Sequence, residues 1–389
     1  MDFTLMNRNV ELLDVSITRG VVQVINNIRE DCRHLLPIPL VGKKPIETFD
    51  FFAWWSKRRM PASRDGLAQA IFNLQQEERD WSLDVDGLLE ESLSLSLSDT
   101  YWLRPCLSMK WEDVNYFTNN FSDDIGELLL TGEWSKGSSF SSPDITGDGL
   151  LKKRWKIIGG KRYLLKGSSS TFIIQPQPFR EVFASKIASI LTRCMGSELA
   201  YVDYGLMLHK NVVYSKCQTF VTEKSEYVPM FHIRDAFLRE GLSPIEEFTW
   251  IRKLYGISSV LLDLTLILDY IILNTDRHFG NFGFLRDSTT GQITGFAPIF
   301  DNGNSLFYNS LDLEADLQKA RPYYSNFEEI FSFVNVSRYS DVLLAVRDSL
   351  ADIFWPTFEG CFESQERLSG ILDVVCKRLD VLIKATARR

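Results

Sequence analysis

One short stretch of the sequence has residue types and spacing that fit phosphoryl transfer. Residues 274–281 read NTDRHFGN, and Asp301 follows twenty positions after Asn281 in an Ile-Phe-Asp-Asn-Gly segment. In such a site one carboxylate, here Asp276, orients or deprotonates the attacking hydroxyl, while an amide and a second carboxylate hold Mg²⁺ on the nucleotide phosphates. The alternative is that these residues only form turns, as Asp and Asn often do.

The elements around this stretch predict how it is positioned. An apolar segment over residues 257–273, interrupted by two aspartates, is typical of a buried core helix and not of a membrane span. It would deliver residues 274–281 at its C-terminal end. Two apolar runs within residues 282–299 predict a hairpin that carries the chain back to Asp301. That return would bring the second carboxylate beside the first.

A second candidate element lies upstream. Residues 137–149 are rich in Ser, Gly and Asp, which disfavours regular structure. Two β-prone runs over residues 154–166 follow, joined by Gly159-Gly160, and predict a hairpin. A small-residue loop can cover nucleotide phosphates with backbone N–H groups, and Lys166 at the hairpin's end can present a charge to the α- and β-phosphates. A surface linker would have a similar composition.

A helix is predicted after Pro178, with apolar residues spaced to face a core. Glu181 lies in its first turn. A helical glutamate can pair with a nucleotide-binding lysine and fix its direction, so Glu181 is a candidate partner of Lys166. The helix dipole also favours Glu at an N-terminus without any such role.

Beyond this helix, two strands are predicted over residues 200–208 and 211–217. Residues 219–223 then stand where a small lobe would cross to a large one. Extended backbone at such a crossing can bind adenine through its N–H and C=O groups, which makes Phe220, Val221 and Thr222 positional candidates. His278 is the one histidine within the central motif, and it is a further candidate nucleotide contact.

The first 130 residues carry no chemistry that the sequence identifies. Short strands are predicted over residues 10–17 and 20–24, and a helix from residue 63 to about residue 76. Residues 92–98 alternate Ser and Leu, which fits either a strand or the frayed end of a helix.

Composition limits the class of protein. The chain has 389 residues, 45% hydrophobic and 24% charged, with a formal net charge of −8. The acidic balance argues against a general nucleic-acid binder, although basic clusters at residues 152–154 and 161–162 leave a local anion site open. Six scattered cysteines indicate reduced thiols and no zinc site. The N-terminus lacks the features of a signal peptide, so a cytoplasmic protein with no membrane contact is expected.

The motif Asp-Arg-His-x-x-Asn at residues 276–281, within the longer Asn-Thr-Asp-Arg-His-x-x-Asn-Phe-Gly signature, resembles the HipA-like serine/threonine kinases of toxin–antitoxin systems. The same loop occurs in the wider group that includes phosphatidylinositol 3- and 4-kinases. The resemblance covers roughly residues 135 to 350. The loop upstream departs from the family's Gly-Ala-Gln-x-Lys wording, and residues 1–130 show no visible match to the toxins' small N-terminal subdomain.

The resemblance implies residue roles, cofactors and partners. Asp276 would be the catalytic base, Asn281 and Asp301 the Mg²⁺ ligands, and Lys166 the ATP-binding lysine. The Ser-rich loop would be the phosphate loop, in which one serine becomes autophosphorylated; its candidates are Ser138, Ser139, Ser141 and Ser142, with the last two preferred. A protein substrate and an antitoxin-like protein partner are also implied.

The implied fold is α+β and two-lobed like a protein kinase, with a small β-rich N-lobe and a mostly helical C-lobe. An additional N-terminal subdomain is expected over residues 1–130, the small lobe over 131–224 and the large lobe over 225–389. The expected activity is that of an ATP- and Mg²⁺-dependent serine/threonine protein kinase. A kinase acting on a small molecule or lipid headgroup shares the same loop, and a pseudokinase that only binds partners is a third hypothesis.

Overall fold

The computed structural model shows three antiparallel sheets and a helical C-terminal half. It describes residues 1–18, 20–61, 63–64, 67–78, 85–105, 107–131, 141–147, 149, 151–168, 176–196, 199–237, 241–314 and 326–387. The strands among them are β1 (Asp2–Asn7), β2 (Val10–Thr18), β3 (Val21–Asn26), β4 (Tyr101–Arg104), β5 (Lys153–Ile158), β6 (Lys161–Lys166), β7 (Tyr204–His209), β8 (Val212–Gln218), β9 (Ser225–Pro229), β10 (Gly283–Asp287) and β11 (Ile293–Phe296). The α-helices are α1 (Ile38–Val41), α2 (Thr48–Trp55), α3 (Leu67–Glu78), α4 (Val85–Glu91), α5 (Trp111–Val114), α6 (Asp124–Thr131), α7 (Gln177–Leu191), α8 (Met230–Phe237), α9 (Pro244–Lys253), α10 (Val260–Ile272), α11 (Ile330–Phe333), α12 (Ser340–Phe358) and α13 (Gln365–Thr386).

The first sheet has the order β3-β2-β1-β4. Strands β2 and β3 and helix α3 were predicted, whereas β1 and β4 were not. Of the two alternatives for residues 92–98, the strand is wrong and the end of a helix is present: α4 ends at Glu91, and residues 92–94 form the turn that follows it. Leu93 and Ser94 both have φ of 55°, and the Ser94 hydroxyl accepts a hydrogen bond from the Trp55 indole at 2.8 Å. Ser92, Ser94 and Ser96 are buried, so the alternation does not mark an exposed strand face.

The second sheet has the order β5-β6-β8-β7 and contains the predicted hairpin. Gly159 and Gly160 at its turn have φ of 57° and 79°, which glycine adopts without strain. The ladder places Lys166 opposite Ser215 of β8. The strand predicted from residue 200 begins only at β7, because residues 200–202 leave the sheet and pair with Ile299, whose carbonyl accepts the Val202 N–H at 2.9 Å.

Helix α7 connects the second sheet to the helical half. Pro178 lies inside its first turn, where the missing N–H costs nothing. The helix is buried on almost all sides and packs on α10 and α12, with the Phe183 and Phe354 rings 5.4 Å apart. Such complete burial means that any charged residue on α7 needs a partner.

The third sheet has the order β11-β10-β9. Its buried residues Val228, Phe284 and Phe296 belong to the core of the helical half. The expectation that helical structure begins near residue 225 is wrong, because β9 comes first and pairs with β10. Its five residues are too few to give a clear period-two pattern. Helix α8 then starts at Met230, before the predicted residue 233.

Helix α10 is the most buried element of this half, as its sequence predicts. Its two aspartates are each neutralised: Asp263 pairs with Arg252 at 2.8 Å, and Asp269 pairs with Arg277 at 3.0 Å. The helix ends at Ile272, and the next residue, Leu273, has a left-handed φ of 51° and donates its N–H to the Asp269 backbone carbonyl. Residues 274–281 follow directly. No helix among the described residues is both long and apolar enough to span a bilayer.

The first sheet is held against the third by a buried polar cluster centred on Arg286 of β10. Its guanidinium donates to Glu226 of β9 and to the Tyr101 hydroxyl, each at 2.7 Å, and to the Leu36 carbonyl at 3.0 Å. A further bond joins the Trp111 indole to Glu223 at 2.6 Å. These contacts fix the N-terminal region beside the segment that links the second sheet to the helical half.

Candidate active site

A cleft of about 870 Å³ lies where the second sheet, the N-terminal region and the helical half meet. Several of the residues predicted from the sequence line it, namely Lys166, Phe220, Val221, Asp276, His278, Asn281 and Asp301. The N-terminal region contributes a further wall that includes Trp54, Lys57 and Tyr101. Residues from three separate parts of the chain therefore face one space.

Lys166 is the centre of an ion-paired group at the cleft's inner wall. Its ammonium lies 2.5 Å from Glu181 Oε1 and 2.5 Å from Asp301 Oδ1. Burial alone would lower the pKa of Lys166, but the two carboxylates hold that pKa above its ordinary value. Burial would also raise the pKa of Asp301, yet the charge and hydrogen bond of Lys166 lower it to about 2. The predicted pairing of Glu181 with Lys166 is present.

Glu181 also ties α7 to the segment that carries Asp301. Its second oxygen accepts the backbone N–H of Asn302 at 2.7 Å, and burial raises the pKa of its carboxyl. Asp301 itself has φ of 57°, a left-handed conformation that non-glycine residues rarely adopt. A Cβ at Gly303 would lie 3.2 Å from Glu181 Cγ, so the close approach of this segment to α7 depends on that glycine.

The loop after α10 orients Asp276 and Asn281 through its own hydrogen bonds. The Asn281 side-chain amide donates to the Asp276 carbonyl at 3.0 Å. Asp276 Oδ2 accepts a hydrogen bond from Asn304 at 2.8 Å, and its backbone N–H is held by Asn274 Oδ1 at 3.0 Å. Because the Asn281 nitrogen is used within the loop, its Oδ1 is the atom that remains to bind a cation.

Arg277 is buried and joins the parts of this site. Its guanidinium pairs with Asp269 of α10, donates to the carbonyls of Asn281 and Phe300 at 2.7 Å each, and also bonds the Asn302 side chain. One side chain thus links the helix, the loop and the segment that delivers Asp301. The sequence contains Arg277 in the motif but does not reveal this positioning role.

The remaining nucleotide candidates lie in different surroundings. His278 Nδ1 accepts the Gly280 N–H at 3.0 Å, so in a neutral ring the proton is on Nε2. Phe220 lies in the cleft wall, with its ring 5.4 Å from that of Phe300, and Val221 is buried next to it. Thr222 is exposed and its backbone pairs with Ser225. Phe220 and Val221 both line the cleft, whereas Thr222 does not and pairs with the first residue of β9.

The serine loop is placed differently from the expectation. Ser138 and Ser139 lie outside the described residues. Ser141 is exposed, and Ser142 is fully buried, where its hydroxyl donates to Asp144 at 2.9 Å and accepts that residue's N–H. Neither Ser141 nor Ser142 is among the residues that line the cleft. The structure therefore does not bring these two serines to the phosphate position.

Glycines further along the same loop do reach the cleft. Gly147 and Gly149 line it, together with Lys153 at the start of β5. Arg64 of the N-terminal region donates to the carbonyls of both glycines, at 3.2 Å for Gly149. Lys153 belongs to the basic cluster noted as a local anion site, and this was the sequence signal that pointed to it. Nothing in the sequence pairs Arg64 with this loop.

The donor set fits a magnesium ion. Asp301 and Asn281 present a carboxylate and an amide oxygen, which are the hard ligands that Mg²⁺ binds, and the low pKa of Asp301 keeps it ionised. Among the described residues no cluster of three or more His, Cys, Asp or Glu side chains could hold a metal alone. Mg²⁺ in nucleotide sites is usually held by one or two protein ligands and by phosphate oxygens, so two protein ligands suffice.

Comparison with known proteins gives structural neighbours but no sequence relatives. No protein-family model matches the chain, and no curated protein matches it. The chain is similar to the HipA toxin of Shewanella oneidensis MR-1, solved with HipB and operator DNA, with a TM-score of 0.58, 12% identity and 99% of both chains covered. It is also similar to CtkA, a proinflammatory kinase of Helicobacter pylori, with a TM-score of 0.49, 21% identity, and 62% of this chain and 92% of that chain covered.

The HipA likeness confirms the predicted resemblance at the level of the fold. The chain has a mixed α+β, HipA-like kinase fold with a sheet-rich N-terminal part and a helical C-terminal part. The likeness also corrects one expectation. It extends over 99% of the chain, well beyond residues 135–350, which the sequence resemblance covers. The domain boundaries at residues 130 and 224 stay predictions.

Proposed function

We propose that the chain is an ATP- and Mg²⁺-dependent kinase that transfers the γ-phosphoryl group to a hydroxyl. The observation that supports this most is the convergence of two groups on one cleft. Lys166, Glu181 and Asp301 form one hydrogen-bonded group, and Asp276 and Asn281 form the other. A partner-binding module would not need a buried lysine with two carboxylates beside an Asp–Asn loop.

Each residue has a role that its geometry suits. Lys166 presents its charge to the α- and β-phosphates, and Glu181 holds the ammonium in that direction. Asp301 and Asn281 would hold Mg²⁺, which neutralises charge on the phosphate oxygens when bound. Asp276, oriented by Asn304 and Asn274, accepts the hydroxyl proton of the acceptor. Arg277 fixes the loop and the Asp301 segment relative to each other through its hydrogen bonds to both.

The Lys166–Asp301 contact balances the two charges that the proposed site buries. Each group is the other's counterion at 2.5 Å, which keeps the cost of burying them low. Phosphate oxygens are alternative partners for Lys166, and a cation is an alternative partner for Asp301.

We infer a protein serine/threonine acceptor and autophosphorylation of a serine within residues 138–142. Of the two described serines, Ser141 is exposed, whereas Ser142 is fully buried and bonded to Asp144. Ser141 is therefore the better acceptor of the pair. An antitoxin-like protein partner is part of the same proposal, because the HipA of Shewanella oneidensis was solved with HipB. The net charge of −8 disfavours direct nucleic-acid binding.

Transfer from labelled ATP tests this function. Pure protein is incubated with γ-labelled ATP and Mg²⁺, alone and with cell lysate, beside Asp276→Ala and the exposed control Asp373→Ala. Label on the protein itself or on a lysate protein, lost in Asp276→Ala and kept in the control, is expected. ATP binding without any transfer would instead establish a binding module. Label only in lipids or small molecules would move the acceptor to that class.

A further inference from the structure

Three buried amide atoms of two residues that line the cleft lack hydrogen-bond partners among the described residues. Gln177, the first residue of α7, has 1% of its surface exposed, and neither its Oε1 nor its Nε2 has a partner in the described part of the chain. Asn304 Oδ1 is likewise buried and unpartnered there, although its Nδ2 donates to Asp276. Both side chains line the cleft. Buried polar atoms are nearly always paired in native proteins, so these three atoms point to a ligand.

The two amides lie close to residues 301–304. This segment begins at the proposed metal-binding Asp301 and ends at Asn304, which contacts the proposed base, Asp276. Gln177 precedes Glu181 by four positions and so lies on the same face of α7. A Cβ at Gly303 would lie 3.4 Å from Gln177 Cβ, which places Gln177 against the segment that joins Asp301 to Asn304. Asn304 in turn contacts Asp276. A ligand bound by both amides would therefore pass beside the position of the attacking hydroxyl.

A nucleotide phosphate cannot satisfy all three unpartnered atoms. Its oxygens could accept from Gln177 Nε2, but Gln177 Oε1 and Asn304 Oδ1 are themselves acceptors that need N–H or O–H donors. A residue of an extended polypeptide presents its own N–H and C=O on the same side of the chain, and a side-chain amide can bond both at once.

We propose that Gln177 and Asn304 bind the main chain of a polypeptide acceptor. This inference rests on the proposed kinase function and assigns two residues that position its protein acceptor. Gln177 pairs with the N–H and C=O of one residue of the extended acceptor chain, and Asn304 accepts an N–H or O–H near the acceptor serine or threonine. Because the contacts are to main chain, they position the acceptor without selecting its side chains.

Gln177→Leu and backbone-methylated peptides test the proposal. The substitution keeps the side chain's approximate volume and removes a buried unpartnered amide, so the variant is expected to fold. The matched control is Gln365→Leu, at the exposed first residue of α13. The probe is a proteome-derived peptide pool with γ-labelled ATP and Mg²⁺. Peptides phosphorylated by the natural protein are then resynthesised with N-methyl groups at positions flanking the acceptor residue.

The substitution is expected to change the KM for peptide and not the KM for ATP. Gln177→Leu raises the peptide KM about tenfold, the effect of one or two lost hydrogen bonds, while the ATP KM and the control stay unchanged. N-methylation at one flanking position weakens transfer by the natural protein and has no further effect in Gln177→Leu.

Three results would overturn the inference. These are an unchanged peptide KM, an ATP KM that rises in its place, and no transfer to any peptide. If no peptide is phosphorylated but the natural protein hydrolyses ATP, the proposed phosphoryl-transfer site is still supported and only the peptide-binding inference fails. Absence of both transfer and hydrolysis would contradict the proposed function itself.

Discussion

The ammonium of Lys166 lies 2.5 Å from Asp301 Oδ1, although 135 positions separate the two residues. Lys166 ends a strand of the second sheet, and Asp301 follows the last strand of the third sheet. The contact therefore closes the inner wall of the cleft between two parts of the fold. It makes the position of the lysine dependent on the segment that carries Asp301, so the proposed nucleotide and metal sites would be coupled.

Replacing Lys166 by Ala is expected to weaken both nucleotide binding and folding. Glu181 has only 2% of its side chain exposed, and without its partner an uncompensated buried carboxylate costs about 3 kcal/mol. The variant should show a correspondingly lower free energy of unfolding in urea and at least a tenfold weaker ATP affinity. Lys161→Ala, at the exposed start of the same strand, is the control. An unchanged ATP affinity would mean that Lys166 is not the nucleotide lysine.

Arg277 and Asp269 are expected to separate stability from activity. Arg277→Met leaves the Asp269 carboxylate buried without a counterion and should cost about 3–5 kcal/mol in urea unfolding. The double variant Asp269→Leu/Arg277→Met should regain most of that stability, because both charges are gone. Single-turnover transfer should stay low in the double variant, since Asn281 and Phe300 have lost the donor to their carbonyls. Recovery of transfer together with stability would show that Arg277 only fills space.

The ion pairs of Glu127 on α6 are expected to make the free energy of unfolding sensitive to acid. Burial would raise the pKa of this α6 carboxyl, but hydrogen bonds from Lys210 and His209 and the charge of Arg154 lower it from 4.5 to about 2. A folded-state pKa below the unfolded value stabilises the protein above the unfolded pKa, and this contribution is lost as the pH falls toward 2. Glu127→Gln should therefore cost about 2 kcal/mol near pH 7 and less with each step toward pH 3. Urea midpoints across this range measure it, and a constant difference would contradict the assignment.

The serine loop gives a prediction for mass spectrometry. After incubation with Mg²⁺ and ATP, phosphate is expected at Ser138, Ser139 or Ser141 and not at Ser142, because the Ser142 hydroxyl is buried and bonded to Asp144. Ser142→Ala should lower the free energy of unfolding by about 1 kcal/mol through loss of its capping bond, while Ser141→Ala should leave it unchanged. Phosphate at Ser142 in folded protein would show that this segment opens during the reaction.

The sequence predicts well the parts of the site that local chemistry determines. The Gly159-Gly160 turn fixes the hairpin that ends at Lys166, and the apolar run before residue 274 fixes the helix that delivers Asp276. In both cases a few neighbouring residues carry enough information to specify the geometry. The fold class was implied by the family resemblance of residues 276–281, and the predicted pairing of Glu181 with Lys166 is present.

Features that depend on distant contacts were not predicted. Strand β9 forms because β10 lies beside it, and that pairing turns Thr222 away from the cleft. Ser142 is buried where its hydroxyl bonds Asp144, whose carboxylate in turn accepts the Trp155 N–H of β5, so loop composition alone could not separate it from Ser141. The hydrogen bonds from Arg64 to the carbonyls of Gly147 and Gly149 join residues that are far apart in the chain. No local sequence pattern predicts them.

The central claim is that Asp276 acts as the base in phosphoryl transfer from ATP. The most direct test is the rate of ADP formation by pure protein with Mg²⁺ and ATP, measured for the natural chain, Asp276→Asn and the exposed control Asp373→Asn. The account predicts a rate lower by about 10³-fold in Asp276→Asn, with ATP affinity retained and the control unaffected. An Asp276→Asn rate equal to that of the natural protein would contradict it.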